Sequence, residues 1–572
     1  MADKDKLKGM RKELTRYGDE AFSLFLRKSF IKGAGYGDDA LDRFVIGIAN
    51  TGSDFNPCHG NSEELIAQVR AGVLVAGGLP MVFPTISLHE SFAYPTSMYL
   101  RNLMAMDTEE MLKSLPVDAV VLVGGCDKTV PAQVMGALSA NIPFIQLVTG
   151  PMSTGSFRGE RVGACTDCRR LWGDFRSGRL TEDEISGAND ALVPTVGTCG
   201  VMGTASTMAL LVEALGLAPL GSATAPAVSA DRRRIAEETG QLAVDIARRH
   251  CHPADILTLA SFENALRVLL AVGGSTNAIL HLTAMAGRLG IKLSLERLDE
   301  LSRHTPVIVD LKPSGTGYME DLHAAGGFVR ILSVLSNCLD MKAMTVTGKT
   351  LGQELNSIDV PDWPQNIIRS SKQSLYEEGG LAVLYGNLAP QGAIIKQAAA
   401  SQHLLSHTGR AVVFENMADL ATRIDDPELE VSQDDILVLR QIGPKGAPGM
   451  PEAGLIPIPK KLAQKGIKDM VRISDGRMSG TAAGTIILHV APESAVGGPL
   501  SLLRTGDKIQ LDVAERQLNM LVSEKELDQR RAEQLAAPLK ERRGYEKLFF
   551  DHVLQAPDGV DFDFMQAMKE SD

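Results

Sequence analysis

VDAVVLVGGCDKT, residues 117–129, is the stretch from which the fold is read. Val117 to Val123 is a short apolar run, β-branched at four of its seven positions and closed by Gly124-Gly125. That composition suits a strand buried on both faces of a parallel sheet better than a helix. Cys126, Asp127 and Lys128 follow in a row, before Val130-Pro131 opens a predicted helix. In open α/β sheets, ligands gather where strands end and helices begin. A thiol there, beside a lysine and a helix N-terminus, ionises readily and makes a good metal ligand. Taken alone, the tripeptide fits equally a βα turn with a buried cysteine and two solvated charges.

Working outward, strand and helix alternate. Residues 43–50 (RFVIGIAN) read as a strand running into the polar loop TGSDFNPCHGN, which holds Cys58. Leu65, Ile66, Val69 and Val73 form a helical stripe. Strands are predicted over 81–87, 117–123 and 142–149, with a helix near 130–140. The alternation argues for a parallel, doubly wound sheet. Cys58, Glu90 and Cys126 each fall just past the C-terminal end of a predicted strand, and so can converge on one sheet edge. Residues 151–185 read as polar and irregular, and include Cys165 and Cys168. Cys199 follows in a glycine-rich loop leading into a helix from about Thr204. Residues 228–345 read mostly as helix, with Ser229 as an N-cap. A polar, proline-bearing stretch at 355–385 marks the boundary between an α/β domain (1–375) and a second domain (376–572). In the second, short strands at 410–414, 435–440, 469–473 and 485–490, then a hairpin at 508–522, suggest a β-barrel-like unit. The tail segment GYEKLFFDHVLQ is too apolar for plain linker.

Composition narrows the function classes. The 572 residues carry 58 Lys+Arg against 70 Asp+Glu, a net charge of −12 without long like-charge runs. That disfavours nucleic-acid and membrane partners. Seven cysteines in a large chain whose N-terminus lacks an apolar secretory core suggest ligands or thiols rather than disulfides, in a cytoplasmic setting.

Three isolated cysteines, Cys58, Cys126 and Cys199, can hold an iron–sulfur cluster with one iron left open as a Lewis acid. Buried free cysteines are equally common in cores, and no CxxC pairs any of these three. Glu90, Asp127 and Glu452 are candidate oxygen ligands for Mg²⁺, although singly each fits a solvated loop acid. Ser474 and Ser479 lie in the glycine-flanked turn SDGRMSGTAAG; either can act as a base only beside a cation. The sole CxxC, Cys165 to Cys168, has no second pair or histidines to complete a zinc site, and its spacing gives it no role.

Together the segments NPCHGN, GGCDKTVPAQVMGA, GTCGVMGTASTMALLVEALG, GGSTNAILHL, LKPSG, GNLAPQGAIIK and SDGRMSGTAAGTIILHVAPES resemble the dihydroxy-acid and sugar-acid dehydratase family. The resemblance runs from about residue 40 to the C-terminus. It implies an α/β domain followed by a C-terminal β-barrel domain. It also implies cluster ligands at Cys58, Cys126 and Cys199, Mg²⁺ ligands at Glu90, Asp127, Glu452 and a carbamylated Lys128, and Ser479 as the base. The cluster implied is [2Fe–2S], while phosphogluconate-type members carry [4Fe–4S]. His89-Glu90-Ser91 stands where branched-chain members have Ser-Asp-Gly, and the following YPTSMYLRNLMAMD looks like the sugar-acid branch.

The expected reaction is therefore β-elimination of water from a 2,3-dihydroxy acid, an aldonic acid, giving a 2-keto-3-deoxy acid. The expected assembly is a homodimer or homotetramer. The alternatives are a branched-chain dihydroxy-acid dehydratase, an iron–sulfur redox or sensor protein, and a zinc-binding interaction protein built on Cys165 and Cys168.

Overall fold

Strands β1 (Val45–Asn50), β2 (Leu79–Pro84), β3 (Ala119–Val123) and β4 (Phe144–Leu147) form a parallel sheet in the order β2-β1-β3-β4. Every residue of β3 is buried, as its β-branched run requires. The chain leaves β1 for one edge, then returns past it to β3. The order therefore reverses between β1 and β3, and the crevice beyond their C-terminal ends is where such sheets bind ligands. The structure, a computed structural model, describes residues 8–533 and 541–567.

Helices cover the sheet. Ser62–Val75 packs against Ala230–Arg249, and Arg101–Ser114 against Thr129–Ala140. The first pair meets backbone to backbone: a Cβ on Gly72 would lie 2.0 Å from Glu237 O, and one on Gly240 would lie 2.3 Å from Val69 O. Only glycine permits that approach.

Residues 151–185, expected to be irregular, are ordered as part of a unit that runs to Leu192. They form a hairpin of β5 (Gly155–Phe157) and β6 (Glu160–Val162), then helices Thr166–Arg176 and Glu182–Leu192. Thr181 and Glu184 close a capping box on the second helix. These elements share a small satellite core of Val162, Leu171, Ala188 and Leu192, too few apolar positions to mark helices in so polar a stretch.

The C-terminal sheet has eight strands: β7 (Ala382–Leu384), β8 (Ala393–Ile395), β9 (Ser406–Phe414), β10 (Ile436–Leu439), β11 (Arg472–Ser474), β12 (Ile486–Leu488), β13 (Lys508–Asp512) and β14 (Gln517–Met520). Their order is β14-β13-β9-β10-β11-β12-β8-β7, and a bridge between Tyr385 and Gln517 brings the outer strands together, so the sheet is nearly a closed barrel. β9 to β12 run parallel, while the flanking strands are antiparallel. Inward residues such as Val413, Val438, Ile473, Ile487 and Leu511 fill the interior.

The apolar tail folds back on its own chain. In the helix Gly544–His552, Phe549 is fully buried among Met98, Leu280 and Phe562, with Tyr99 packed alongside. Its apolar character thus reflects intramolecular packing, and gives no support to subunit association. Among the described residues, no helix is long and apolar enough to cross a membrane.

Candidate active site

The cysteine-bearing loops meet at the β1/β3 crevice. Cys58 lies in the short turn Pro57–His59 after β1, and Cys126 follows β3 directly. Ligand atoms of Cys58, His89 and Cys126 all lie within 4.8 Å of one another. His59, fully buried, ties two of the loops: its Nε2 accepts the backbone N–H of Gly125 (3.0 Å) and Cys126 (2.9 Å), and its Nδ1 faces Thr51 O at 2.8 Å. Two donors on Nε2 require the neutral ring with its proton on Nδ1. Burial agrees, pushing His59 down to about 4.

The third loop interlocks with these. Thr149 Oγ1 donates to Cys58 O at 2.7 Å. A Cβ on Gly125 would sit 1.9 Å from Thr149 Oγ1 and 3.0 Å from Thr198 Cγ2, so the loop carrying Cys199 presses on the loop carrying Cys126. Contact with Cys126 and then burial hold the Cys58 thiol well above its usual range. Contact with Cys165 and then burial do the same for Cys199. Without a metal these thiols stay protonated; a bound cation reverses that preference. Cys165, which spacing leaves without a role, lies with its Sγ 3.8 Å from Cys199 Sγ.

Next to the thiols stands a carboxylate group. Oxygens of Glu90, Asp127 and Glu452 lie within 4.8 Å of one another. Cys126 Sγ is 3.6 Å from Asp127 Oδ1, so the two groups are adjacent. Glu90 is held by Thr96 Oγ1 at 2.6 Å and by Ser97, through its backbone N–H at 3.3 Å and its hydroxyl. Lys128, fully buried, pairs with Asp127. Arg477, also fully buried, donates to Glu452 Oε1 at 2.7 Å and Glu90 Oε2 at 3.2 Å, joining the two halves of the molecule. Burial alone would raise Glu90, but Arg477 and Lys128 overrule it and hold the carboxyl well below the usual range. Burial raises Glu452 in spite of Arg477, with the charge of Glu90 adding to the shift.

Ser479 faces the same joint. Its Oγ shares a hydrogen bond with Thr481 Oγ1 at 2.9 Å; Arg169 Nε reaches Thr481 Oγ1 at 3.5 Å, and Arg169 Nη2 lies 3.8 Å from Glu452 Oε2. A Cβ on Gly203 would meet Thr481 Cγ2 at 2.8 Å, which puts this turn against the Cys199 loop. Asn277 Nδ2 holds Met478 O at 3.0 Å. Ser474, the other candidate, accepts Gly476 N at 2.8 Å and serves its own turn.

His59, Arg477, Thr96 and Ser97 carry no mark of function in the sequence. Arg477 sits two residues before Ser479 in the same glycine-flanked turn, but nothing in the charge pattern marks it as buried. His59 adjoins Cys58, and a lone histidine there reads as an ordinary loop residue.

Comparison with known proteins gives the chain a family. The dihydroxy-acid/6-phosphogluconate dehydratase N-terminal family model matches residues 43–354, and the C-terminal model matches residues 366–560. The chain is 44% identical to an L-arabinonate dehydratase of Rhizobium leguminosarum bv. trifolii, over 97% of this chain and 96% of the relative. It is 44% identical to a 6-deoxy-6-sulfo-D-gluconate dehydratase of Pseudomonas putida, over 93% and 92% of the two chains. A dihydroxy-acid dehydratase of Clostridium botulinum is 36% identical, over 93% and 97%. The chain belongs to the dihydroxy-acid/6-phosphogluconate dehydratase family.

Proposed function

We propose that this protein is a hydro-lyase that removes water across C2 and C3 of a sugar acid to give a 2-keto-3-deoxy acid. The observation that carries this reading is the adjacency of a thiol group and a carboxylate group, linked through neighbouring Cys126 and Asp127. Thiolates suit iron–sulfur and carboxylates suit Mg²⁺, so the donor chemistry fits both. Identity to sugar-acid dehydratases at 44%, against 36% to a dihydroxy-acid dehydratase, favours the sugar-acid branch.

In this reading Cys58, Cys126 and Cys199 hold a [2Fe–2S] cluster, and Glu90, Asp127, Glu452 and carbamylated Lys128 hold Mg²⁺. Carbamylation resolves a conflict of charge. An ammonium buried among carboxylates competes with a divalent cation, whereas a carbamate replaces that positive charge with anionic oxygen donors. Arg477 remains to balance the acids. When bound, the metal groups supply Lewis-acid stabilisation for the enolate charge and for the departing hydroxide. Ser479 Oγ takes the C2 proton, with Arg169, which reaches its partner Thr481, to lower the cost of its ionised form. A cleft of about 540 Å³ is lined by Thr166, Arg169, Lys468 and Thr481, the last hydrogen-bonded to Ser479, and its basic side chains favour an acidic substrate. Exposed Phe22, Phe25 and Phe30 on the helix Glu20–Gly33 support assembly into a homodimer or homotetramer.

The test is a panel of pentonates, hexonates and 2,3-dihydroxyisovalerate assayed for 2-keto acid after anaerobic purification. Faster turnover of an aldonate, abolished by a chelator, is expected. Preference for dihydroxyisovalerate would select the branched-chain reading, and a loaded cluster with no keto acid from any substrate would select a redox or sensor role.

A further inference from the structure

Cys165 and Cys168 fall outside the three-cysteine set, yet the segment carrying them is built into the site. Asp167, between them, is fully buried. It accepts from Gly163 N at 2.9 Å, Arg170 Nε at 3.1 Å, Tyr318 OH at 2.8 Å and Lys312 Nζ at 3.0 Å. The chain around Lys312 also pins the Cys199 loop: Met202 N donates to Lys312 O at 2.9 Å, and Met319 N to Gly200 O at 2.9 Å. One scaffold therefore fixes Cys165 relative to Cys199. A second link crosses to the barrel side, where Thr166 Oγ1 donates to Thr481 O at 2.9 Å.

The sulfur spacing is informative. Cys165 Sγ and Cys199 Sγ are 3.8 Å apart, far beyond a disulfide bond of about 2 Å. A tetrahedral metal binding sulfur at about 2.3 Å sets two of its thiolates about 3.8 Å apart. We propose that Cys165 is a fourth thiolate ligand of the iron–sulfur group, sharing one metal with Cys199 in the substrate-free protein. This rests on the assignment of Cys58, Cys126 and Cys199 to such a group. It leaves the dehydration chemistry available by exchange. With the group bound, Cys165 would give up its place to a lone pair of the substrate hydroxyl, and its freed thiolate would take a proton from solvent. Cys168, whose thiol meets that of Cys165, is not assigned as a ligand.

The test compares wild type, Cys165→Ala, Cys165→Ser and Cys168→Ala, each reconstituted anaerobically with iron and sulfide and examined by Mössbauer and electron paramagnetic resonance spectroscopy. Substrate-free wild type and Cys168→Ala should show iron in all-sulfur coordination only. Cys165→Ala should show one iron site shifted toward oxygen coordination before any substrate is added, and wild type should acquire that shift on adding an aldonate. Cys165→Ser, which preserves side-chain size, should show the same shift and covers the case in which the alanine variant does not fold. Superimposable spectra for wild type and the Cys165 variants, all loaded with iron and sulfide, would overturn this proposal alone. Failure of every form to take up iron and sulfide, or zinc in their place, would overturn the cluster assignment and this proposal with it.

Discussion

The parallel sheet and the barrel contribute to one site in different ways. From the sheet come Cys58 and Cys126, on the loops that follow β1 and β3 at the point where strand order reverses. From the barrel come Glu452, Arg477 and Ser479, none of which lies within a strand. The sheet side is fixed by backbone geometry, with His59 and Thr149 binding the loops together. The barrel side is fixed by charge, because fully buried Arg477 meets Glu90 across the joint. The sheet thus holds the candidate ligands on rigid loops, while the barrel brings the proposed base, Ser479, and the counter-charge of Arg477 to them.

If that division is right, Ser479→Ala should separate the two sides most sharply. It should lower turnover roughly 10²- to 10⁴-fold, the usual contribution of a general base, while leaving cluster absorbance and iron content unchanged. Retained activity would remove the barrel from the chemistry. Arg477→Met should come next. Removing one partner from a buried charge group costs about 3–5 kcal/mol. The metal-free variant should therefore unfold at lower denaturant, and millimolar Mg²⁺ should recover part of the loss by supplying a cation to Glu90 and Glu452. An unchanged midpoint would show that the joint is not held by charge.

His59→Leu tests the sheet side. It strands the N–H groups of Gly125 and Cys126, at about 1–3 kcal/mol for each buried donor. Cluster loading should fall with stability, whereas Ser479→Ala leaves both intact; equal loading in the two variants would contradict the holder role.

The smallest effect is a pH dependence. Burial first, and then Arg477, hold His489 down to about 3. The unfolded chain binds this proton below about 6.5, and the folded chain does not until near 3. Stability from the neutral ring is therefore complete above pH 6.5 and is lost as pH falls toward 3. His489→Asn, chosen because asparagine tolerates the φ of +57°, should flatten the fall by at most about 1.4 kcal/mol per pH unit. Parallel stability curves from pH 6.5 to 4.5 would show that His489 is not the group responsible.

The same contrast explains what the sequence made legible. β1 and β3 follow from β-branched runs and β2 and β4 from short apolar ones, and the predicted bounds fall within a few residues of those observed. The parallel barrel strands β9 to β12 were also foreseen as short strands. β7 and β8, three residues each, were not, because no periodicity develops in so short a run. The helices at 166–176 and 182–192 escaped notice because few of their residues reach a core. The candidate ligands Cys58, Cys126, Glu90 and Asp127 lie near strand ends, where position alone suggests function. Arg477 and His59 depend on contacts between segments far apart in the chain, and no local pattern reports those.

The central claim is that thiols from the sheet side and carboxylates from both the sheet and barrel sides form one site for two metal groups. Diffraction from anaerobically grown crystals of the loaded protein, recorded on both sides of the iron absorption edge, tests it most directly. The account predicts an iron signal among Cys58, Cys126 and Cys199, and a separate light cation among Glu90, Asp127 and Glu452. Iron bound away from those cysteines, or zinc at Cys165 and Cys168 with the carboxylates carrying no cation, would contradict it.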